Sequence, residues 1–202
     1  AHDTSCVHGF IDGNDGTVYQ TLPWNYRGWH CGSGSKGSGN NTHIGVEMCE
    51  PACIRYTAGS NFTCSNLAEA RSVAKRTYEA AVELFAMLCK KYSLDPLADG
   101  VVISHREGHS RGIASNHGDP EHLWTQLGTG YTMDGFRKAV RAAMGGASSG
   151  TDGYTKIMGN AVAAAEQMKA YLKAKNPNVA QSVLDTVPLY ISEGHRLCAV
   201  LP

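Results

Sequence analysis

Residues 104–124 read SHREGHSRGIASNHGDPEHLW and hold four of the nine histidines, His105, His109, His117 and His122, interleaved with Glu107, Asp119 and Glu121. Imidazole and carboxylate groups bind zinc-type metals, and imidazole also exchanges protons near neutral pH. A zinc hydrolase uses three protein ligands from His, Asp, Glu or Cys and keeps a fourth position for water. His105, after the apolar run VVIS, and Asp119, further along a Gly-, Ser- and Asn-rich loop, are placed to supply two of them. A metal site, an acid–base site and a polar loop are all compatible with this spacing.

The elements that must position these groups follow from periodicity. CVHGFID and TVYQTLPW read as two strands joined by a tight turn, because the Asn-Asp-Gly between them supplies the backbone conformations a hairpin wants. GWHCGSGSKGSGNNTH is a glycine- and serine-rich loop, and the HIGVEMCE that overlaps its end is a short run suited to a buried central strand. Residues 53–66 read as an irregular polar insertion. In the next segment Leu67, Val73, Ala81, Leu84, Phe85 and Leu88 recur at helical steps, with Asn66 and Glu69 as a capping box and Lys90 and Lys91 at the C-terminal end. VVISH is expected to be a strand delivering His105, and TMDGFRKAVRAAM a closing helix. The order predicts an α/β domain over residues 1–144, a mixed central β-sheet flanked by helices. GGASSGTDG at 145–153 has linker composition, and 154–202 opens as a short helical segment.

Composition narrows the function classes. Lysine plus arginine equals aspartate plus glutamate at 18 each, so no charge excess points to nucleic acid. No apolar run reaches the roughly 20 residues of a membrane span, and no signal peptide is visible at the N-terminus. The seven cysteines show no C-x-x-C pair, and their odd number argues against a full disulfide framework. Cys53 and Cys64 flank the polar insertion; they either pair in an oxidising compartment or are small semi-buried residues.

Three blocks in order, VHGFIDGNDGTVYQTLPWNYRGWHCG, NNTHIGVEMCEP and SHREGHSRGIASNHGDPEHLW, resemble the zinc-dependent N-acetylmuramoyl-L-alanine amidases of the type-2 amidase family, a family related to peptidoglycan recognition proteins. The resemblance spans about residues 4–144 and is nearest to endolysins and autolysins of Firmicutes and their phages. It implies a Zn2+ cofactor, bacterial peptidoglycan as partner, a monomer, and a place of action at the cell wall or outside the cell. It further implies that His105 and Asp119 are zinc ligands, and that Glu47 in HIGVE is the general base or polarises water. His117 stands where the family often has a lysine that steadies the oxyanion. Trp29, His30 and Asn41 are implied to line the substrate groove. The first family ligand is a histidine on an earlier strand, so the third ligand is expected upstream of Ala1, and this chain would then be a truncated, inactive amidase. His8 corresponds to a structural or groove-lining position. The segment from 154 is similar to the opening helices of glucosaminidase domains, with no activity assigned. A wall-binding module and an inactive prophage fragment are the alternatives.

Among the remaining groups, His109 and His122 are expected to pack the loop or face solvent. Glu50, Glu107 and Glu121 are expected to be solvated, and Trp24 and Trp124 to be packing residues. Asn40 is expected to shape the loop ahead of HIGVE.

Overall fold

The computed structural model describes residues 6–145 together with Lys173. The linker expected at 145–153 and the segment from 154 expected to be glucosaminidase-like lie outside the described residues, apart from Gly145 and Lys173.

Strands β1 (Gly9–Ile11) and β2 (Val18–Gln20) pair antiparallel, and β3 (Val46–Met48) runs parallel to β1. The mixed three-stranded sheet has the order β2-β1-β3. The β1–β2 turn is built by side chains bonding the backbone two residues on: Asp12 Oδ1 accepts from the Asn14 N–H and Asp15 Oδ1 from the Thr17 N–H, each at 2.7 Å. Only Gly16 takes a positive φ there, +78°. The HIGVE strand is an edge strand of this sheet and not its centre, which is β1. A short apolar run signals burial but not position in the sheet.

Residues 53–66 correct the expectation of an irregular insertion. They contain an antiparallel hairpin, β4 (Ile54–Ala58) and β5 (Asn61–Cys64), which forms a second small sheet. Ile54, Phe62 and Cys64 face a small apolar cluster with Ala70, Ala74, Leu123 and Leu127, while the alternate residues face water.

Helix α1 (Leu67–Lys91) starts where Asn66 Oδ1 accepts from the Glu69 N–H at 3.1 Å, and Asn66 Nδ2 donates to the Glu69 carboxylate. Its buried stripe is Ala70, Ala74, Thr77, Ala81, Leu84 and Leu88, at three- and four-residue steps. Leu67 is exposed, because the first turn begins before the helix meets the core. Leu84 and Leu88 pack with Ile11, Val18 and Trp24 from the sheet side and with Phe136 and Val140 from α4 (Met133–Gly145). Full burial of one such leucine contributes about 2 kcal/mol. Trp24 and Trp124 are both core residues, in keeping with the sequence reading.

VVIS is not a strand. The Val102 carbonyl accepts from Arg137 Nη1 at 3.0 Å and not from a neighbouring strand, and Ser104 instead caps a short helix, α2 (His105–Ser110). The strand expectation fails because β propensity acts only where a partner strand is present.

Candidate functional site

His105 is the first residue of α2, and its placement is set by a capping box. The Ser104 hydroxyl accepts from the Glu107 N–H at 3.0 Å, and the Glu107 carboxylate accepts from the Ser104 N–H at 3.2 Å. Arg137 of α4 then grips Glu107 with both terminal guanidinium nitrogens, Nη1 and Nη2, at 2.9 to 3.1 Å. Glu107 is therefore a scaffold for the His105 turn, not a solvated carboxylate.

The loop after α2 folds back and brings His117 and Asp119 to His105. Ligand atoms of these three residues all lie within 4.8 Å of one another, the one such group of His, Cys, Asp and Glu among the described residues. His105 Nδ1 is 3.5 Å from Asp119 Oδ2, and His117 Nδ1 is 3.8 Å from Asp119 Oδ1. The two imidazoles stack with centroids 4.5 Å apart. On the far side of His105, the Ser115 hydroxyl donates to the Cys31 carbonyl at 3.2 Å, so it accepts from His105 Nε2 at 3.1 Å. Nε2 is thereby the N–H of the ring, and Nδ1 turns its lone pair toward a carboxylate. Two acceptors facing one another call for a cation between them, either a proton or a metal ion. Donation of the outer N–H to a fixed group is how ligating histidines are oriented. The donor set fits zinc.

The charges agree with this geometry. With a proton as that cation, Nδ1–H bonds Asp119 and holds the His105 imidazole above its ordinary range, against the opposing effect of burial. Burial pushes Asp119 up, but the hydrogen bond and charge of His105 outweigh it, leaving Asp119 below the ordinary carboxylate range.

Glu47 reaches the same site from β3. Val46 and Met48 pack against the core, and alternation directs Glu47 to the opposite face, beside its cross-strand partner Phe10. Although the residue keeps contact with solvent, partial loss of water around its carboxyl group and then the negative charge of Asp119 raise its pKa. A carboxylate poised in this way is suited to accept a proton. Glu47, His105, His117 and Asp119 line one cleft of about 1180 Å3 together with Trp29 and His30.

The rim residues separate into distinct roles. Trp29 is exposed, with the Arg27 guanidinium 4.9 Å from its ring centroid. Asn41 accepts from Arg27 Nε at 2.6 Å; it supports that platform from outside the lining of the cleft. His30 donates from Nε2 to the His43 carbonyl at 3.1 Å, and burial holds its pKa below the ordinary value. Gly45 packs on the His30 ring, where a Cβ would sit 2.2 Å from ring carbon Cγ. Asn40 is buried and holds the loop by accepting from the His30 and Cys31 N–H groups at 2.7 and 3.0 Å. His8 is buried, accepts from the Gly45 N–H at Nδ1 and donates from Nε2 to the Tyr26 carbonyl, a structural role. His109 is exposed and bonds the Ala114 carbonyl at 3.3 Å.

One group escaped the sequence reading. His122, in α3 (Glu121–Leu127), bonds the Tyr56 hydroxyl at 2.7 Å, and that hydroxyl donates to Glu50 Oε1 at 2.5 Å. Glu50 therefore anchors the hairpin and is not merely solvated, while His122 is largely buried. Glu121 also departs from expectation: one oxygen accepts from the Ser104 hydroxyl at 2.8 Å, the other is buried without a partner, and burial raises its pKa. Periodicity could not join residues this far apart, and Tyr56 lay in a segment read as irregular.

The mixed sheet layered with helices makes this an α/β protein, and its His105–His117–Asp119 group has the donors and spacing to hold a metal ion. Residues 1–122 match the family described as N-acetylmuramoyl-L-alanine amidase, and the chain belongs to that family. Three Bacillus subtilis (strain 168) proteins carry similar stretches. The N-acetylmuramoyl-L-alanine amidase CwlH is 49% identical over 39 residues, 19% of this chain and 16% of the relative. The amidase XlyA is 49% identical over 49 residues, 24% of this chain and 16% of the relative. The amidase CwlA is 36% identical over 68 residues, 33% of this chain and 24% of the relative. The chain thus spans no more than 24% of the length of these curated relatives. No solved structure matches it.

Proposed function

We propose that this domain hydrolyses the amide between the lactyl group of N-acetylmuramic acid and L-alanine of the peptidoglycan stem peptide, with zinc held by His105 and Asp119. The observation that carries the reading is the facing pair of His105 Nδ1 and Asp119 Oδ2, with Glu47 on the same cleft. Zinc, when bound, supplies a Lewis acid for the carbonyl and acidifies water. Glu47 accepts the proton of the attacking water and returns it to the departing alanine nitrogen. His117, exposed at the rim of the group, donates an N–H to the developing oxyanion. His105 and Asp119 supply two of the three protein ligands such a zinc site uses, and the third is the histidine that the family resemblance places on an earlier strand. Trp29, braced by Arg27 and Asn41, offers an aromatic face to sugar or peptide, and His30 closes the groove beside it.

The protein is proposed to act on bacterial peptidoglycan at the cell wall, as a monomer. None of the described helices is long and apolar enough to cross a membrane. The direct test incubates the full chain, with added zinc, with purified peptidoglycan and measures newly released alanine N-termini. Zinc-dependent release that is lost in Glu47→Ala supports hydrolysis. Zinc uptake with wall binding but no released amine replaces it with a binding module.

A further inference from the structure

The β4–β5 hairpin forms one wall of the cleft: Tyr56, Gly59 and Ser60 line it, and Gly118 of the ligand loop packs against the tip, where an added Cβ would meet Ser60 Oγ at 3.0 Å. A two-stranded sheet is marginally stable by itself. Near the tip this one is tied to α3 by the Gln126 side chain, which bonds the Phe62 N–H at 3.2 Å and the Ser60 carbonyl at 2.7 Å, and by the Tyr56–His122 bond. Its base is different. Cys53 immediately precedes β4 and Cys64 ends β5, and their sulfurs lie 4.0 Å apart. The Ser65 N–H and hydroxyl both bond the Cys53 carbonyl, at 3.0 and 3.1 Å, holding the two chain segments in register at this point. Both thiols are half-buried against the apolar cluster beneath the hairpin. The other described cysteines are elsewhere, Cys31 and Cys89 buried and Cys6 and Cys49 exposed.

We propose that Cys53 and Cys64 form a reversible disulfide that fastens the base of this hairpin and so sets the rigidity of the cleft wall. Closing the sulfurs from 4.0 Å to a bond of about 2.05 Å takes side-chain rotation in segments already paired. The chemistry is thiol–disulfide exchange with a small-molecule disulfide. One thiolate attacks it to give a mixed disulfide and release one small thiol; the second thiolate displaces the other small thiol and forms the Cys53–Cys64 bond. The two protons shed by the cysteines end on the two small thiols, so the protein is oxidised by two electrons and the small disulfide is reduced. The cross-link closes a short loop and restrains the hairpin when it opens.

This inference is independent of the amidase reading, and its test needs no substrate. The full chain is equilibrated with oxidised or reduced glutathione in mildly alkaline buffer and mapped by peptide mass spectrometry. The expected product is a Cys53–Cys64 cross-linked peptide, with Cys31 and Cys89 left as thiols. Amide exchange across residues 54–64 should slow by about tenfold to a hundredfold on oxidation. The slowing should vanish in both Cys53→Ser and Cys64→Ser, with exchange in α1 unchanged in every form. Separate glutathione adducts on Cys53 and Cys64, or equal hairpin exchange in the oxidised and reduced protein, would overturn the proposal.

Discussion

His105 Nδ1 and Asp119 Oδ2 face one another across 3.5 Å, on residues delivered by two different turns of the chain. Ser115 fixes the orientation by accepting the opposite N–H of the ring. This one contact ties the capping of α2, the folding back of the loop and the chemistry of the cleft together.

Removing Ser115 should therefore act on metal affinity without touching a ligand. Ser115→Ala is expected to weaken zinc binding by about 10–100-fold, read by competition with a chromophoric chelator. His105→Ala and Asp119→Ala should abolish uptake. His117→Ala should retain zinc and lose rate; loss of zinc there would make His117 a ligand instead of an oxyanion donor.

Glu47→Gln preserves shape and removes the base. Released alanine N-termini should fall by about 10²–10⁴-fold with zinc content unchanged. The sign of the pH effect follows from desolvation of the Glu47 carboxyl, which raises its pKa. The base form exists only above that raised value, so activity should be lost as pH falls through it, at a higher pH than an ordinary glutamate would give. A rate profile measured at saturating zinc in Glu47→Asp and in the parent checks the assignment.

The Glu107–Arg137 pair holds the turn that carries His105, with side chains 29% and 18% exposed. Arg137→Met leaves a partly buried carboxylate without its partner and should cost about 2 kcal/mol in denaturant unfolding. The substitution should also lower zinc affinity, because Ser104 and His105 lose their brace.

Acid should weaken the α4 start in a defined direction. The hydrogen bond from Arg137 holds the Asp134 carboxyl below the ordinary carboxylate range. Its contribution is present above the unfolded-state value and is lost as pH falls through the lower folded-state value. Asp134→Asn should flatten the acid limb of a stability profile and change little near neutral pH, where so exposed a pair contributes little.

Leu84 lies in the C-terminal half of α1 at 1% exposure, between the sheet and α4. Leu84→Ala should cost about 3 kcal/mol by leaving a cavity, measured by urea unfolding. The His105–Asp119 contact lies in another part of the fold, so zinc stoichiometry should survive in the folded fraction.

Local chemistry was legible in the sequence wherever the deciding interactions span only a few residues. The Asn66–Glu69 cap, the helical stripe of α1, the α4 helix and the β1–β2 hairpin all depend on neighbours within a turn or two. The resemblance carried further: it named His105, Asp119 and Glu47 together, and the structure gathers them at one cleft. What local pattern missed was pairing. The strand expected at VVIS has its Val102 carbonyl taken by Arg137, the HIGVE strand sits at an edge, and the insertion became a hairpin because Ile54, Phe62 and Cys64 found an apolar floor built by α1 and α3.

The sequence by itself determined which residue types stand ready for chemistry and which segments coil, because caps, turns and helical periods act through nearest neighbours. Only the tertiary structure decided that Ser115 orients His105, that Tyr56 binds His122, and that Cys53 meets Cys64. Those contacts rest on distances set by packing between separated segments, and closing such loops is favourable only once the shared core is in place.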